Sequence, residues 1–258
     1  MKWLLMLGGT YLAYAIAMVL IHPQLLYPFG PDPFNNPDFN QDVVSDRGVA
    51  MATARGNDPL AVLFFMGNGG ALAYFTNTLN AHQEAGRTLA AMEYPGGGGI
   101  AGIPSEAGLK ANALAAYDWL ATQHDGPIAV HGYSMGTGLA IHVGASRPVA
   151  AIMLDAPYVK MCELMTKASW LPACFMPGVQ KWNSAADVPA LSAPVLIQHG
   201  TSDQLIPISN GQRLATMMQD AGLHVTFHAV ENATHNNLAG QGGYIGRIDA
   251  FLASLDAR

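Results

Sequence analysis

Charge is scarce in this chain. Only 12% of its 258 residues are Asp, Glu, Lys or Arg, while 50% are hydrophobic, which excludes a disordered, solvated polymer. The few charges lean acidic, 12 Lys and Arg against 18 Asp and Glu for a net charge of −6, so a nucleic-acid partner is not expected. Neither internal repeats nor long low-complexity tracts occur. Nine histidines are present, but none forms a His-Glu-x-x-His set, and Cys162 and Cys174 lack the paired Cys/His motif of a zinc site. No metal is therefore expected. Gly97-x-Gly99-x-x-Gly102 formally fits a dinucleotide fingerprint, yet Ile103-Pro104-Ser105 separates it from the next helix, so no Gly-rich helix N-terminus receives a pyrophosphate. A glycosidase-type carboxylate pair has no support either. The length fits one α/β domain with a full core.

What the chain does carry is Gly132-Tyr133-Ser134-Met135-Gly136. The apolar, β-prone stretch 127–131 precedes it and a helix-compatible stretch, 137–143, follows. Strand, tight turn with Ser at its tip, then helix is the nucleophile elbow of an α/β-hydrolase. That fold places its acid and base later in the chain, in the order Ser, Asp/Glu, His. Asp203 follows the apolar strand 193–200, and His235 lies in the loop leaving a last strand, 223–230. Open α/β sheets build sites at the carboxyl ends of their strands, so Ser134, Asp203 and His235 are expected at one edge as a catalytic triad. The apolar strand 61–66 runs directly into Gly67-Asn68-Gly69-Gly70. Backbone N–H groups of Asn68 and Met135 are the expected oxyanion donors. His131 and His199 read as core residues beside the elbow and the acid loop. His224 and His228 share a polar strand face with Thr226.

The N-terminus is of another kind. After Lys2, residues 3–21 form a 19-residue run without charge, long enough to cross a bilayer as a helix. Ala13-Tyr14-Ala15 and Ala15-Ile16-Ala17 resemble signal-peptidase sites, so a cleaved signal peptide is the competing reading. The apolar run continues past both sites and favours an anchor. Positive charge at the extreme N-terminus, with the next basic residue at Arg47, orients the N-terminus to the cytoplasm and the rest outside. Residues 1–22 are thus expected as a transmembrane anchor, 23–40 as a linker and 41–258 as the hydrolase domain. Within that domain an insert, about 157–189, carries Met161, Leu164, Met165, Trp170, Leu171, Phe175 and Met176. Such apolar bulk suits an acyl pocket or a membrane-facing cover, and equally plain core filling. In an oxidising compartment Cys162 and Cys174 could pair; two free thiols are the alternative.

Amphipathic helices are expected at 105–120, 208–221 and 244–255, with an early antiparallel strand at 49–55. Helices alternating with strands imply a mainly parallel central sheet covered on both faces.

Phe65-Met66-Gly67-Asn68-Gly69-Gly70, Glu93-Tyr94-Pro95-Gly96-Gly97-Gly98-Gly99, Pro104-Ser105-Glu106, the elbow, His199-Gly200-Thr201-Ser202-Asp203 and Ala233-Thr234-His235-Asn236 together resemble the Bem46-like, serine-aminopeptidase-related group of α/β-hydrolases. The resemblance runs from about Leu60 to the C-terminus. It implies two-step acyl transfer on a small ester, thioester or amide, with no cofactor. A peptidase, or a non-catalytic membrane-tethered binding or scaffold protein on the same fold, are the alternatives. One departure is visible: relatives usually carry His where this chain has Met66, so the hydrogen bonding behind the oxyanion loop must differ.

Overall fold

Apolar runs five or six residues long and bounded by turns become strands that are buried throughout, because helices cover both faces of the sheet. The computed structural model describes residues 2–256. An N-terminal helix, α1 (Lys2–Leu26), leads into an antiparallel pair, β1 (Asn40–Val44) and β2 (Val49–Ala54). Then come β3 (Ala61–Phe65), α2 (Thr76–Glu84), β4 (Thr88–Met92), α3 (Glu106–Gln123), β5 (Ile128–Tyr133) and α4 (Gly136–Ser146). The second half contains β6 (Ala151–Asp155), α5 (Met161–Ser169), β7 (Val195–Gly200), α6 (Ser209–Asp220), β8 (Val225–Val230) and α7 (Tyr244–Asp256).

The eight strands form one sheet in the order β1-β2-β4-β3-β5-β6-β7-β8. Every pairing from β4 through β8 is parallel. The expected α/β-hydrolase architecture is present, with the strands expected from 61 onward found within about two residues. β1 was not anticipated: its Asn40-Gln41-Asp42 start is polar because the strand lies at the sheet edge. The register aligns Phe65 with Gly132 and Gly200 with Val230. That alignment brings the loops leaving β3, β5, β7 and β8 to one rim.

Residues 23–40, expected as a linker, pack onto the domain through buried Tyr27, Phe34 and Phe39. α1 runs through Pro23. Proline has no N–H, so the helix interior should leave the carbonyl four residues earlier unpaired. His22 repairs this locally: its Nδ1–H donates to Val19 O at 2.6 Å. Its Nε2 then accepts from the Gln180 N–H at 3.1 Å, tying the end of α1 to the insert.

Glu93, just past β4, is 2% exposed and its Oε2 has no partner among the described residues. Gly98, at φ +57, closes over it; a Cβ there would lie 2.7 Å from that oxygen. Burial pushes the carboxyl up from 4.5 to about 7. A carboxyl raised in the folded state favours folding below its unfolded value, and that contribution is lost as pH rises toward the folded value. Folding stability should therefore fall by on the order of 3 kcal/mol between pH about 4.5 and 7 on account of Glu93. Urea unfolding of the solubilised protein across that range should show the decline, and Glu93→Gln should flatten it. Equal slopes for the two proteins would remove Glu93 as the cause.

Candidate active site

Ser134 occupies the turn between β5 and α4 with φ 52, a left-handed conformation uncommon for a side chain beyond glycine. Its neighbours explain how the turn closes. A Cβ on Gly136 would stand 2.1 Å from Phe65 O, and one on Gly132 would stand 2.4 Å from Gly136 O. Both glycines are thus required by close backbone approach. The Ser134 N–H donates to Asp155 O at 2.8 Å, pinning the turn to the end of β6.

His235, leaving β8, presents Nε2 at 2.9 Å from Ser134 Oγ and Nδ1 at 2.7 Å from Asp203 Oδ2. With Nδ1–H donating to the carboxylate, Nε2 is left as the acceptor for the serine hydroxyl. Asp203 is further held by Leu205 N–H and Ile206 N–H, at 2.9 and 2.8 Å from Oδ1. Its Oδ2 also lies 3.5 Å from His199 Nε2, whose N–H donates to Ile206 O at 2.8 Å. Burial pushes the Asp203 carboxyl up, but His199, His235 and the Ile206 N–H outweigh it and leave the group well below the usual carboxylate range. The three residues expected to work together therefore meet in hydrogen-bonding order.

The Gly67–Gly70 loop lies against the serine: a Cβ on Gly67 would be 3.4 Å from Ser134 Cβ. Asn68 lines the same two cavities as Ser134. Behind the loop, Tyr94 OH donates to Met66 O at 2.7 Å. Met135 caps the N-terminus of α4, and its carbonyl accepts from Tyr158 OH at 3.4 Å.

Beneath the elbow runs a buried polar chain that the sequence did not reveal. His131 Nε2–H donates to Asp155 Oδ2 at 2.9 Å, and His82 Nε2–H donates to His131 Nδ1 at 2.9 Å. Arg87 Nη1 approaches His82 Nδ1 at 3.3 Å. Tyr244 OH and Gln198 also donate to the Asp155 carboxylate. Burial, then the neighbouring His131 and Arg87, hold His82 well below the usual imidazole value. Asp155 ends an apolar strand and Tyr244 begins the last helix, so nothing local in the sequence couples them. His131 alone carried a signal, as a histidine in an otherwise apolar strand.

Two cavities meet at Ser134. One, about 460 Å³, is lined almost wholly by apolar side chains of α1 and the insert, with Asn68, Leu205 and Ile206. The other, about 550 Å³, is lined by His235 and by Asn68, Asn77, Thr78, Asn236 and Asn237 among others. Cys162 and Cys174 form a disulfide within the insert. Among the described residues no group of three or more His, Cys, Asp or Glu is arranged to hold a metal ion.

The prolyl oligopeptidase family model matches residues 111–254, more than half of the chain and the stretch containing Ser134, Asp203 and His235. An uncharacterized protein of Mycobacterium tuberculosis, Rv2307c, is 32% identical over 189 residues, covering 72% of this chain and 66% of that protein. The lysophosphatidylserine lipase ABHD12 of Macaca fascicularis is 24% identical over 205 residues, 71% of this chain and 52% of that protein. The chain thus spans about half to two thirds of the length of these relatives. Among solved structures, the Pyrococcus furiosus esterase Pf2001 superposes with a TM-score of 0.71 at 16% identity, covering 88% of this chain and 96% of that one. At that identity, what is shared is the fold.

Gly132→Ala should destabilise the fold by about 2–4 kcal/mol, since a methyl must displace backbone rather than a flexible side chain. Thermal unfolding beside wild type checks this; an unchanged midpoint would mean that the turn is not backbone-limited.

Proposed function

The chain belongs to the prolyl oligopeptidase family of the α/β-hydrolase superfamily, and we propose that it is a serine hydrolase that cleaves an ester or thioester through a Ser134–His235–Asp203 acyl-enzyme mechanism. The observation carrying this reading is the continuous hydrogen-bond path from Ser134 Oγ through His235 to Asp203. His235 takes the serine proton as Oγ attacks the carbonyl carbon, while the ionised Asp203 holds the imidazole tautomer and stabilises its cation. The oxyanion is received by the Asn68 and Met135 N–H groups. His235 returns the proton to the leaving group, and water, deprotonated by the same histidine, releases the acid.

The two cavities divide the substrate. His235 must protonate the departing oxygen or sulfur, and it lines the second cavity, where Asn77, Thr78, Asn236 and Asn237 stand among Tyr74, Phe75 and Leu205, which makes this more polar of the two cavities the leaving-group side. The apolar cavity then takes the acyl group. None of its lining residues is Asp, Glu, Lys or Arg, so a peptide amine or carboxylate finds no counter-charge there. That favours an acyl ester with a polar alcohol over a peptide, despite the family's name. A lysolipid, the substrate type in the name of the ABHD12 relative, has this apolar-and-polar form.

We assign α1 as an uncleaved membrane anchor, with the hydrolase domain on the extracytoplasmic side. The support is a 25-residue helix of mean hydropathy 2.1 over its most apolar window, whose Trp3, Leu4, Leu5, Met6, Leu7 and Leu12 are exposed. Cleavage at Ala15 or Ala17 would remove Tyr14, which lines the acyl cavity.

Fluorophosphonate treatment should add one adduct to the wild-type mass and none to Ser134→Ala, which should retain less than about 10⁻⁴ of the esterase rate. A folded wild type without an adduct would instead favour a binding protein. In membranes, the full-length chain should resist an alkaline carbonate wash. Release of a shortened form would identify residues 1–22 as a signal peptide.

A further inference from the structure

The apolar cavity is closed on one side by α1 itself. Tyr14, Met18, Val19 and His22 recur at the spacing of one helix face, and each lines the cavity that reaches Ser134. Opposite them stand Leu164 and Met165 of α5. The contact is built, not incidental. Tyr14 OH donates to Ser169 O at 2.9 Å, Tyr11 OH reaches Trp170 O at 3.5 Å, and His22 accepts the Gln180 N–H. Further along, Tyr27 OH donates to Gln180 Oε1 at 2.5 Å and accepts from Trp182 Nε1 at 3.0 Å.

Helix length gives this contact a consequence. From Lys2 to Tyr14, where the insert is first firmly held, α1 rises only about 18 Å at ~1.5 Å per residue. A bilayer's hydrocarbon core is about 30 Å thick. A spanning α1 therefore carries its next two turns, and the part of the insert bonded to them, below the headgroups. The surface there agrees: Trp170 and Phe175 of the insert are 87% and 88% exposed, aromatic rings suited to lipid.

We propose that α1 is one wall of the acyl-binding site and that this site opens into the bilayer, so that the substrate is a membrane-resident ester whose single long acyl chain enters between α1 and α5. Occupancy by one chain follows from a cavity of about 460 Å³, toward the small end of ligand sites, which run from roughly 300 to 1,000 Å³. The proposal rests on reading Ser134 as the acylated nucleophile and α1 as a retained anchor. It adds that anchor and specificity pocket are the same element, so detaching one dismantles the other.

The test uses the full chain in dioleoylphosphatidylcholine nanodiscs, with para-nitrophenyl laurate and para-nitrophenyl butyrate as probes. Val19→Trp, which fills the cavity from α1, should lower the laurate-to-butyrate ratio of kcat/KM by roughly tenfold or more. Ile16→Trp, on an exposed position away from the cavity, should leave the ratio within about twofold. Should Val19→Trp fail to fold, Met18→Ala, which widens the same wall, must shift the ratio. Butyrate turnover with an unmoved ratio overturns the α1 wall while leaving the hydrolase reading intact. No butyrate turnover together with no fluorophosphonate adduct overturns the hydrolase reading, and this inference with it. The bilayer opening is read separately in nanodiscs whose lipid acyl chains are brominated. Trp170→Phe should lower the fraction of tryptophan fluorescence quenched; an unchanged or higher fraction puts the rim in water and overturns that part.

Discussion

A serine held at φ 52 between a buried strand and a buried helix is the constraint on which the site depends. The conformation costs energy and persists only where the surroundings over-determine it. Here β3 and β5 pair in parallel, α4 starts immediately after the turn, and the backbone of Gly136 touches the carbonyls of Phe65 and Met66 at a distance that excludes any side chain. The Ser134 N–H is fixed to Asp155 O. Asp155 is in turn fixed by His131, Gln198 and Tyr244, which reach it from β5, β7 and α7. Strands β3, β5, β6 and β7 and helix α7 thus hold one turn, and the serine hydroxyl is aimed before any ligand arrives. Preorganisation of this kind lets donors act without moving during reaction.

The charged partner of the histidine shows the same logic in electrostatic form. A buried carboxylate is costly unless its lone pairs are filled. Asp203 accepts from two backbone N–H groups and from His235, with His199 close by. The acid therefore stays ionised while being hidden from water. Glu93, equally hidden but without such donors to Oε2, drifts the opposite way. Two carboxyls in one core differ because one is hydrogen-bonded and the other is not.

Much of this was legible because it is local. Strand, Gly-x-Ser-x-Gly and helix are contiguous, and the order of Ser134, Asp203 and His235 follows from where parallel strands end. The Gly67–Gly70 loop after β3 was legible for the same reason. Polar β1 was not, because an edge strand needs no apolar pattern and only its pairing with β2 defines it. Residues from 23 onward read as a linker, yet the first helix continues through Pro23 to Leu26. It can do so because the His22 side chain supplies the hydrogen bond that the proline withholds.

By itself, then, the sequence determined the α/β class, the elbow and the apolar character of both α1 and the insert, since periodicity, glycine placement and an uncharged run are properties of neighbouring residues. It left open whether Cys162 and Cys174 pair and what the apolar insert covers. Only the tertiary structure brought Asp155 under the elbow, joined His82 to His131, and laid α1 along α5 to close a cavity at Ser134. Those are contacts between residues tens to more than a hundred positions apart. Their geometry is decided by how the whole core closes, because hydrophobic pattern states that a face must be buried but not against which partner.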